Sequence, residues 1–215
     1  MHQYEKAIGH YQQALALQPN QPEIYNNLSS AQLAAGHAAE AAAAARQAVT
    51  LQPDFALAHN NLANALADLG NIEEAAAAYR RAIALQPNFP EAHSNLGTLL
   101  IEEGYIDEAI AAHRHALALT PDYPEAHNNL GFALKRQGLP DEAIAAYRHA
   151  ISLKPNFPEA YSNLGNALKD MGQLDEASAA YRRAITLRPG FHEAHSNLIL
   201  TLLYDVNCDA PTLAR

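Results

Sequence analysis

The chain has 215 residues and a formal net charge of −9, which disfavours a nucleic-acid partner because contact with phosphates needs clustered cations. No run reaches the roughly 18 apolar residues of a membrane span, and no charged-then-apolar leader opens the chain, so we expect neither a membrane span nor a signal peptide. A single cysteine, Cys208, excludes an internal disulfide framework and favours a reducing, cytoplasmic compartment.

One pattern of 34 residues recurs along the chain. A proline closes each copy, at Pro19, Pro53, Pro87, Pro121, Pro155 and Pro189, and a glycine lies near the middle of a copy, at Gly36, Gly70, Gly104, Gly138 and Gly172. Self-similarity at a fixed period signals a solenoid of stacked units. Apolar residues at helical spacing on both sides of the glycine predict two helices in each copy. Two helices cannot bury their apolar faces alone, so each copy must pack against its neighbours.

The copies follow one another without an insertion. Residues 1–21 predict only the second helix of a truncated copy, five complete copies follow at 22–55, 56–89, 90–123, 124–157 and 158–191, residues 192–205 predict the first helix of a degenerate copy, and residues 206–215 predict the start of a C-terminal cap or a junction to a following domain. The half-copies at both ends favour either a fragment of a longer chain or self-association through exposed terminal helices.

Proline and short polar residues mark the expected starts of the first helices. Pro22, Pro90, Pro124 and Pro158 suit a first helical turn, and Pro140 suits the first turn of a second helix. Five residues of the preceding loops are the predicted amino-terminal caps: Asn20, Asp54, Asn88, Asp122 and Asn156.

Positions within a copy are counted from its first residue, so that Pro158 is position one of the fifth complete copy. This copy has Tyr161 at position four, Leu164-Gly165 at seven and eight, Ala177 at twenty, Tyr181 at twenty-four, Ala184 at twenty-seven and Pro189 at thirty-two. The arrangement resembles the tetratricopeptide repeat (TPR), over residues 1 to about 204. The resemblance implies an all-α fold, a right-handed superhelical solenoid of stacked helix-turn-helix units.

Position six of every first helix is asparagine: Asn27, Asn61, Asn95, Asn129, Asn163 and Asn197. Helical geometry places it on a stripe with positions two, nine and thirteen, and first helices of such stacks line the concave wall. Because asparagine both donates and accepts, a row of them can pair with the amide groups of an extended peptide. The alternative is that each asparagine satisfies a neighbouring group within the stack, and the two roles are compatible.

The rest of the stripe gives the expected groove its character. Acidic residues include Glu91, Glu125 and Glu159, so a neutral or mildly basic ligand is favoured, while Phe132, Leu200 and Tyr204 add apolar patches. The candidate peptide-binding residues are the six asparagines together with Asn64, Asn166, Glu91, Glu125, Glu159 and Phe132.

Two further periodic rows have a structural and a functional interpretation. Four histidines share position four with tyrosine, which indicates packing rather than metal binding: His59, His93, His127 and His195. A row of arginines follows the second helices: Arg46, Arg80, Arg114, Arg148 and Arg182. These arginines form either a docking strip for an acidic partner or exposed ion pairs with acids such as Glu74, Glu108 and Glu142. No catalytic constellation, metal-ligand cluster or cofactor motif is visible, so neither an enzyme nor a cofactor is expected.

Three of the asparagines, Asn95, Asn129 and Asn163, stand in the sequences His-Ser-Asn-Leu-Gly, His-Asn-Asn-Leu-Gly and Tyr-Ser-Asn-Leu-Gly. A regular array with asparagine at position six throughout resembles the TPR superhelix that precedes the catalytic lobes of O-GlcNAc transferases. Residues 193–205 are also similar to the junction in bacterial relatives, although Leu203 and Val206 depart from the histidine and proline common there. The resemblance implies an asparagine ladder that holds the backbone of protein substrates, with a catalytic domain beyond Arg215. The competing hypothesis is a free-standing scaffold for protein complexes.

Overall fold

The computed structural model describes residues 2–204, so the predicted cap or junction at 206–215 and Cys208 lie outside the described residues. This part of the chain contains twelve α-helices and no strand. The helices are α1 (His2–Leu17), α2 (Pro22–Ala34), α3 (Ala38–Leu51), α4 (Ala56–Asp68), α5 (Ile72–Leu85), α6 (Pro90–Glu102), α7 (Ile106–Leu119), α8 (Pro124–Gln137), α9 (Pro140–Leu153), α10 (Pro158–Asp170), α11 (Leu174–Leu187) and α12 (His192–Tyr204). The expected all-α fold is therefore confirmed.

The chain forms two compact units, Met1–Glu103 and Gly104–Arg215. In the first unit each helix from α1 to α6 packs against the next one, and in the second unit each helix from α7 to α12 does so. The first helices of successive copies also touch, since α4 contacts α2 and α6, and α10 contacts α8 and α12. Each unit is thus a stack of helix pairs, in which one copy buries the apolar face of the next.

Local sequence explains where the helices begin and end. Prolines open α2, α6, α8, α9 and α10, where the missing N–H would have no helical partner. Gly138 and Gly172 adopt φ angles of 85° and 74° after the first helices of their copies, in the left-handed region that glycine enters without a steric penalty. The helix boundaries thus follow from proline and glycine chemistry.

The predicted asparagine and aspartate caps are wrong. The N-cap residue of each of these helices lies one position after the predicted cap, and its side chain makes no capping hydrogen bond. These N-cap residues are Gln21, Phe55, Phe89, Tyr123 and Phe157. Phe89 and Phe157 are buried in the core instead, against small residues such as Ala92 and Ala160. Burial of the aromatic ring therefore decides how the chain enters the helix.

Small residues let the paired helices approach closely. Ten alanines at positions twenty and twenty-seven are fully buried: Ala41, Ala48, Ala75, Ala82, Ala109, Ala116, Ala143, Ala150, Ala177 and Ala184. Gly165 has a buried aromatic ring against it, since a Cβ atom added there would lie 2.6 Å from Cε1 of Tyr181. At such close contacts, a change in side-chain volume of even one methyl group alters the packing.

The histidines at position four have a structural role. Nε2 of His59, His93 and His195 lies 3.0 Å from the carbonyl oxygen of the proline six residues earlier, and the corresponding distance for His127 is 2.8 Å. Each ring thereby ties the start of a first helix to the end of the preceding copy. This finding confirms the packing interpretation of these histidines.

The arginine row on the second helices forms exposed ion pairs. Nη2 of Arg46 lies 2.9 Å from Glu74, and Arg148 pairs with Glu176 at 2.8 Å. A longer pair joins Arg114 to Glu142 at 3.5 Å. Exposed pairs of this kind contribute little stability individually, so the pairing interpretation is confirmed for these three arginines.

One histidine of the second unit, His113, lies fully in the core. His113 occupies position twenty-four, where other copies have tyrosine, and burial lowers its pKa from 6.5 to about 4. The neutral ring is therefore favoured in the folded state. The stability that this provides is complete above the unfolded pKa of 6.5 and is lost as the pH falls towards 4.

We predict that the unfolding free energy falls by about 1 kcal/mol more in the wild type than in His113→Tyr when the pH is lowered from about 7.5 to about 5.5. Urea unfolding at the two pH values measures this difference. Tyrosine does not titrate in this range and occupies the same position in other copies. Equal losses in the two proteins would show that His113 does not control this step.

Candidate functional site

The recurring polar chemistry of the repeat lies on one surface of the first helices, which we call the asparagine face. It comprises positions two, six, nine and thirteen of α2, α4 and α6 in the first unit, and of α8, α10 and α12 in the second. Asn27 is exposed, and the other five asparagines of position six are half-buried. All six of these asparagine side chains are therefore accessible to solvent, and five of them are partly buried.

In the first unit, asparagines of neighbouring copies bond directly to one another. Nδ2 of Asn61 donates to Oδ1 of Asn26 at 2.8 Å. Nδ2 of Asn95 donates to Oδ1 of Asn64 at 3.1 Å and, at 3.4 Å, to Oδ1 of Asn60. The amide of each copy is thus used to hold the preceding copy.

The second unit repeats this arrangement. Nδ2 of Asn163 donates to Oδ1 of Asn128 at 3.0 Å. Nδ2 of Asn197 donates to Oδ1 of Asn166 at 2.9 Å, because position five of the preceding copy is a serine, Ser162, and offers no amide oxygen. The acceptor is therefore at position five for Asn61 and Asn163, at position nine for Asn197, and at both positions for Asn95.

These bonds leave a defined set of atoms for a ligand. Within the described residues, Oδ1 of Asn61, Asn95, Asn163 and Asn197 accepts no hydrogen bond from another side chain. Asn27 makes no side-chain hydrogen bond in the same part of the chain. An amide oxygen accepts from N–H groups, so within each unit the face presents two of these acceptors one repeat apart: Asn61 and Asn95 in the first unit, and Asn163 and Asn197 in the second.

Two buried tyrosines at position twenty-four donate hydrogen bonds to asparagines at position nine. The hydroxyl of Tyr79 donates to Oδ1 of Asn64 at 2.6 Å, and that of Tyr181 donates to Oδ1 of Asn166 at 2.7 Å. Burial raises the pKa of both tyrosines above its usual range, and carboxylates near each, such as Asp68 and Asp170, act in the same direction. Both hydroxyls therefore stay protonated and donate.

Tyr147 is the exception among these tyrosines. Its side chain is fully buried and burial alone raises its pKa, but its hydroxyl has no hydrogen-bond partner within the described residues. The position that supplies an asparagine oxygen in the other two copies is occupied by Phe132. An unpaired buried hydroxyl lowers the stability of this copy.

Charges on the asparagine face differ between the two units. In the second unit, Glu125 pairs with Lys154 at 2.7 Å, Glu159 pairs with Arg188, and Asp170 pairs with Lys135 at 2.9 Å. Partial burial disfavours the ionised Glu125, but the hydrogen bond and charge of Lys154 outweigh this effect and lower its pKa. These three carboxylates of the second unit are therefore neutralised.

The first unit keeps its negative charge. Glu91, Asp68 and Glu102 are exposed, and no ion pair to them is formed within residues 2–204. The acidic character expected for the whole face is thus stronger in the first unit, although Glu193 of α12 in the second unit is also exposed and forms no ion pair within residues 2–204.

Exposed apolar groups lie on this face in both units: Leu57, at position two of α4, is 42 % exposed in the first unit, and two more lie in the second unit. The Phe132 ring is 40 % exposed, and Leu200 is 46 % exposed. Leu200 also lines an open hollow of about 360 Å³, whose other walls are Lys169, Asp170, Leu174 and Thr201. The side chain of Tyr204 lies outside the described residues.

Several residues of this site were not found from the sequence. They are the buried acceptors at position five, Asn26, Asn60 and Asn128, the tyrosine donors Tyr79 and Tyr181, and the cations Lys135, Lys154 and Arg188. The Asn-Asn pairs at 26–27, 60–61 and 128–129 were a usable signal, because a second polar residue beside the ladder in a helix must also find a partner if it is buried.

Neither a metal site nor a membrane span is found in the described part of the chain. No three histidine, cysteine, aspartate or glutamate side chains come together there in a way that could hold a metal ion. None of the helices in residues 2–204 combines the length and the apolar character needed to cross a membrane.

Comparison with protein-family models identifies repeats over most of the sequence. A model described as TPR repeat matches residues 2–36, 63–104, 97–138 and 141–172. Models described as tetratricopeptide repeat match residues 22–55, 126–154 and 158–191. Among curated proteins, none matches this chain significantly.

Solved structures share the fold at low sequence identity. A chain of the APC/C hetero-tetramer Cut9–Hcn1 is 22% identical with a TM-score of 0.85, and the match covers 94% of this chain but only 40% of that one. TTC0263, a TPR protein of Thermus thermophilus, is 24% identical with a TM-score of 0.73 over 85% of this chain and 100% of its own. YrrB, described as a TPR protein with an unusual peptide-binding site, is 20% identical with a TM-score of 0.63, over 86% of this chain and 96% of its own.

We predict that Tyr181→Phe lowers the unfolding free energy by about 1 kcal/mol, because Asn166 loses its buried donor. Tyr147→Phe is the matched control, since it removes a hydroxyl that has no partner in the described residues. We expect this control to be as stable as the wild type or more stable. Urea unfolding of the two variants checks this, and equal destabilisation would contradict the assigned hydrogen bonds.

Proposed function

This chain belongs to the tetratricopeptide repeat family, and we propose that it is a protein–protein interaction module that binds extended peptide segments on its asparagine face. The observation that carries the proposal is a pair of amide oxygens on each unit, those of Asn61 and Asn95 on the first and those of Asn163 and Asn197 on the second. Each oxygen is held in place because the nitrogen of the same amide is bonded to the neighbouring copy. Acceptors that are ordered before binding lose little conformational entropy when a peptide arrives.

The proposed ligand is recognised through its main chain. An extended peptide has backbone N–H groups that no secondary structure satisfies, and these can donate to the asparagine oxygens. Recognition of this kind tolerates many side chains, because every residue except proline offers the same donor. The acidic residues Asp68, Glu91 and Glu102 favour neutral or basic segments on the first unit.

The finer proposal concerns the protein to which this module contributes. We propose that it recruits substrates for an O-GlcNAc transferase-like protein in the cytoplasm, with Asn27, Asn61, Asn95, Asn129, Asn163 and Asn197 as the ladder. The support is the sequence resemblance of the ladder and of residues 193–205. No reaction is assigned to these residues, and no cofactor is invoked for binding.

The alternative is a free-standing scaffold that assembles protein complexes without a linked enzyme. It is favoured by neighbours such as TTC0263, the whole length of which is covered by the match. Self-association through the terminal helices also belongs to this alternative. Reading the gene beyond Arg215 separates the two: a continuing frame with an α/β pattern supports the transferase link, and a stop codon removes it.

We predict that Asn61→Ala weakens binding of a short uncharged peptide of serine, threonine and valine by about fivefold, through loss of one hydrogen bond. Asn26→Ala is the matched control, because it removes the same 2.8 Å bond between copies but keeps the Asn61 oxygen. The Asn26→Ala variant should lose only about twofold in affinity, because the Asn61 oxygen is still present but is less well ordered. Fluorescence anisotropy of the labelled peptide measures both.

The same experiment contains a chemical control on the ligand. A peptide of identical sequence with alternate backbone nitrogens methylated has lost the donors that the asparagine oxygens need. Its binding should be abolished. If the methylated peptide binds as well as the original, or if the two variants have the same affinity, main-chain capture by this ladder is wrong.

A further inference from the structure

Phe132 breaks the pattern of position nine in the second unit, and the break has a physical consequence. In the next copy, position nine is Asn166, whose oxygen accepts the hydroxyl of the buried Tyr181. Phe132 offers no acceptor to Tyr147, and the Tyr147 hydroxyl is both buried and without a partner among the described residues. An asparagine at position 132 would supply the acceptor. Phe132 is therefore less stabilising at position nine than the asparagine that the next copy has there, Asn166.

The Phe132 ring does not repay this loss by packing in the core. It is 40 % exposed on the asparagine face, in the neighbourhood of the polar ladder. A residue that lowers stability and leaves an aromatic surface in solvent is typical of a binding site, where function and stability compete. Aromatic rings in such places supply much of the apolar contact with a partner.

A cation on the same helix completes the surface. Arg136 follows Phe132 by four residues on α8, so both side chains lie on one side of the helix. Three other cations on this side of the unit are neutralised, since Lys135, Lys154 and Arg188 pair with Asp170, Glu125 and Glu159. Arg136 is exposed and forms no ion pair within residues 2–204. Its guanidinium is therefore available to pair with a carboxylate of a ligand.

We propose that Phe132 and Arg136 form a specificity subsite, which takes one apolar side chain and one carboxylate of a peptide bound on the asparagine face of the second unit. The inference rests on the proposed function. Side chains two residues apart in an extended peptide lie on one side at a spacing of about 7 Å. Residues four apart on a helix have Cβ atoms separated by about 6 Å. The acidic residue of the ligand is therefore two positions from the apolar one.

The test uses four labelled peptides on the full chain. The first is the uncharged serine, threonine and valine peptide. The second carries a central phenylalanine with an aspartate two residues to either side, so that it fits whichever direction the peptide runs. The third keeps the phenylalanine with serine in place of both aspartates, and the fourth keeps the aspartates with serine in place of phenylalanine. We expect the second peptide to bind about tenfold more tightly than the first.

Three variants assign this gain to residues. Phe132→Asn should reduce the affinity for the second peptide to that for the fourth, and should raise the unfolding temperature by about 2–4 °C as Tyr147 gains its acceptor. Arg136→Gln should reduce the affinity for the second peptide to that for the third. Tyr147→Phe controls for stability, because it removes the unpaired hydroxyl without changing the exposed ring, and its affinities should match those of the wild type.

The outcomes separate this subsite from the general function. If the first and second peptides bind equally well, main-chain capture stands and the subsite is wrong. If Phe132→Asn lowers the unfolding temperature, or leaves the affinity for the second peptide unchanged, Phe132 is a packing residue and the subsite is also wrong. If only the second peptide binds, the subsite stands and side-chain-independent capture fails. If no peptide binds, both proposals fail.

Discussion

A pair of short helices cannot bury its own apolar face, and this constraint organises the whole molecule. Every copy of the repeat packs against the next, so the contacts between copies must be satisfied at the same positions each time. On the apolar side this is done by alanine at positions twenty and twenty-seven, which is fully buried in all five complete copies. On the polar side it is done by asparagine, whose nitrogen bonds to the preceding copy. One residue type thereby joins copies and leaves an oxygen on the surface.

The candidate site is therefore part of the interface between copies. The structural and the functional interpretations of the ladder, which the sequence left open, fit the same side chain because an amide has two ends. The hydrogen bond between copies fixes the nitrogen, and under the proposed function the oxygen is the atom that accepts from the ligand. This arrangement also explains why binding and stability must be measured separately, with variants that remove only one of the two ends.

Much of the fold could be predicted from the sequence, because helix periodicity, proline and glycine act locally. The caps could not: the buried rings of Phe89 and Phe157 determine how the chain enters its helices, and that burial depends on the neighbouring copy. The partners of the ladder were missed for the same reason. Whether Asn197 reaches position five or position nine of the previous copy depends on helix packing and on the residue available there, which periodicity alone does not give. Two of the ion pairs that neutralise charge in the second unit join residues 29 apart, beyond any helical spacing.

A structure of the chain with the uncharged peptide bound tests the central claim most directly. The account predicts peptide nitrogens at hydrogen-bond distance from Oδ1 of successive position-six asparagines such as Asn61 and Asn95. The bonds from Asn61 to Asn26 and from Asn95 to Asn64 should remain in place, because they orient those oxygens. A peptide that lies on another surface, or one whose carbonyl groups take the asparagine nitrogens and break the bonds between copies, would contradict it.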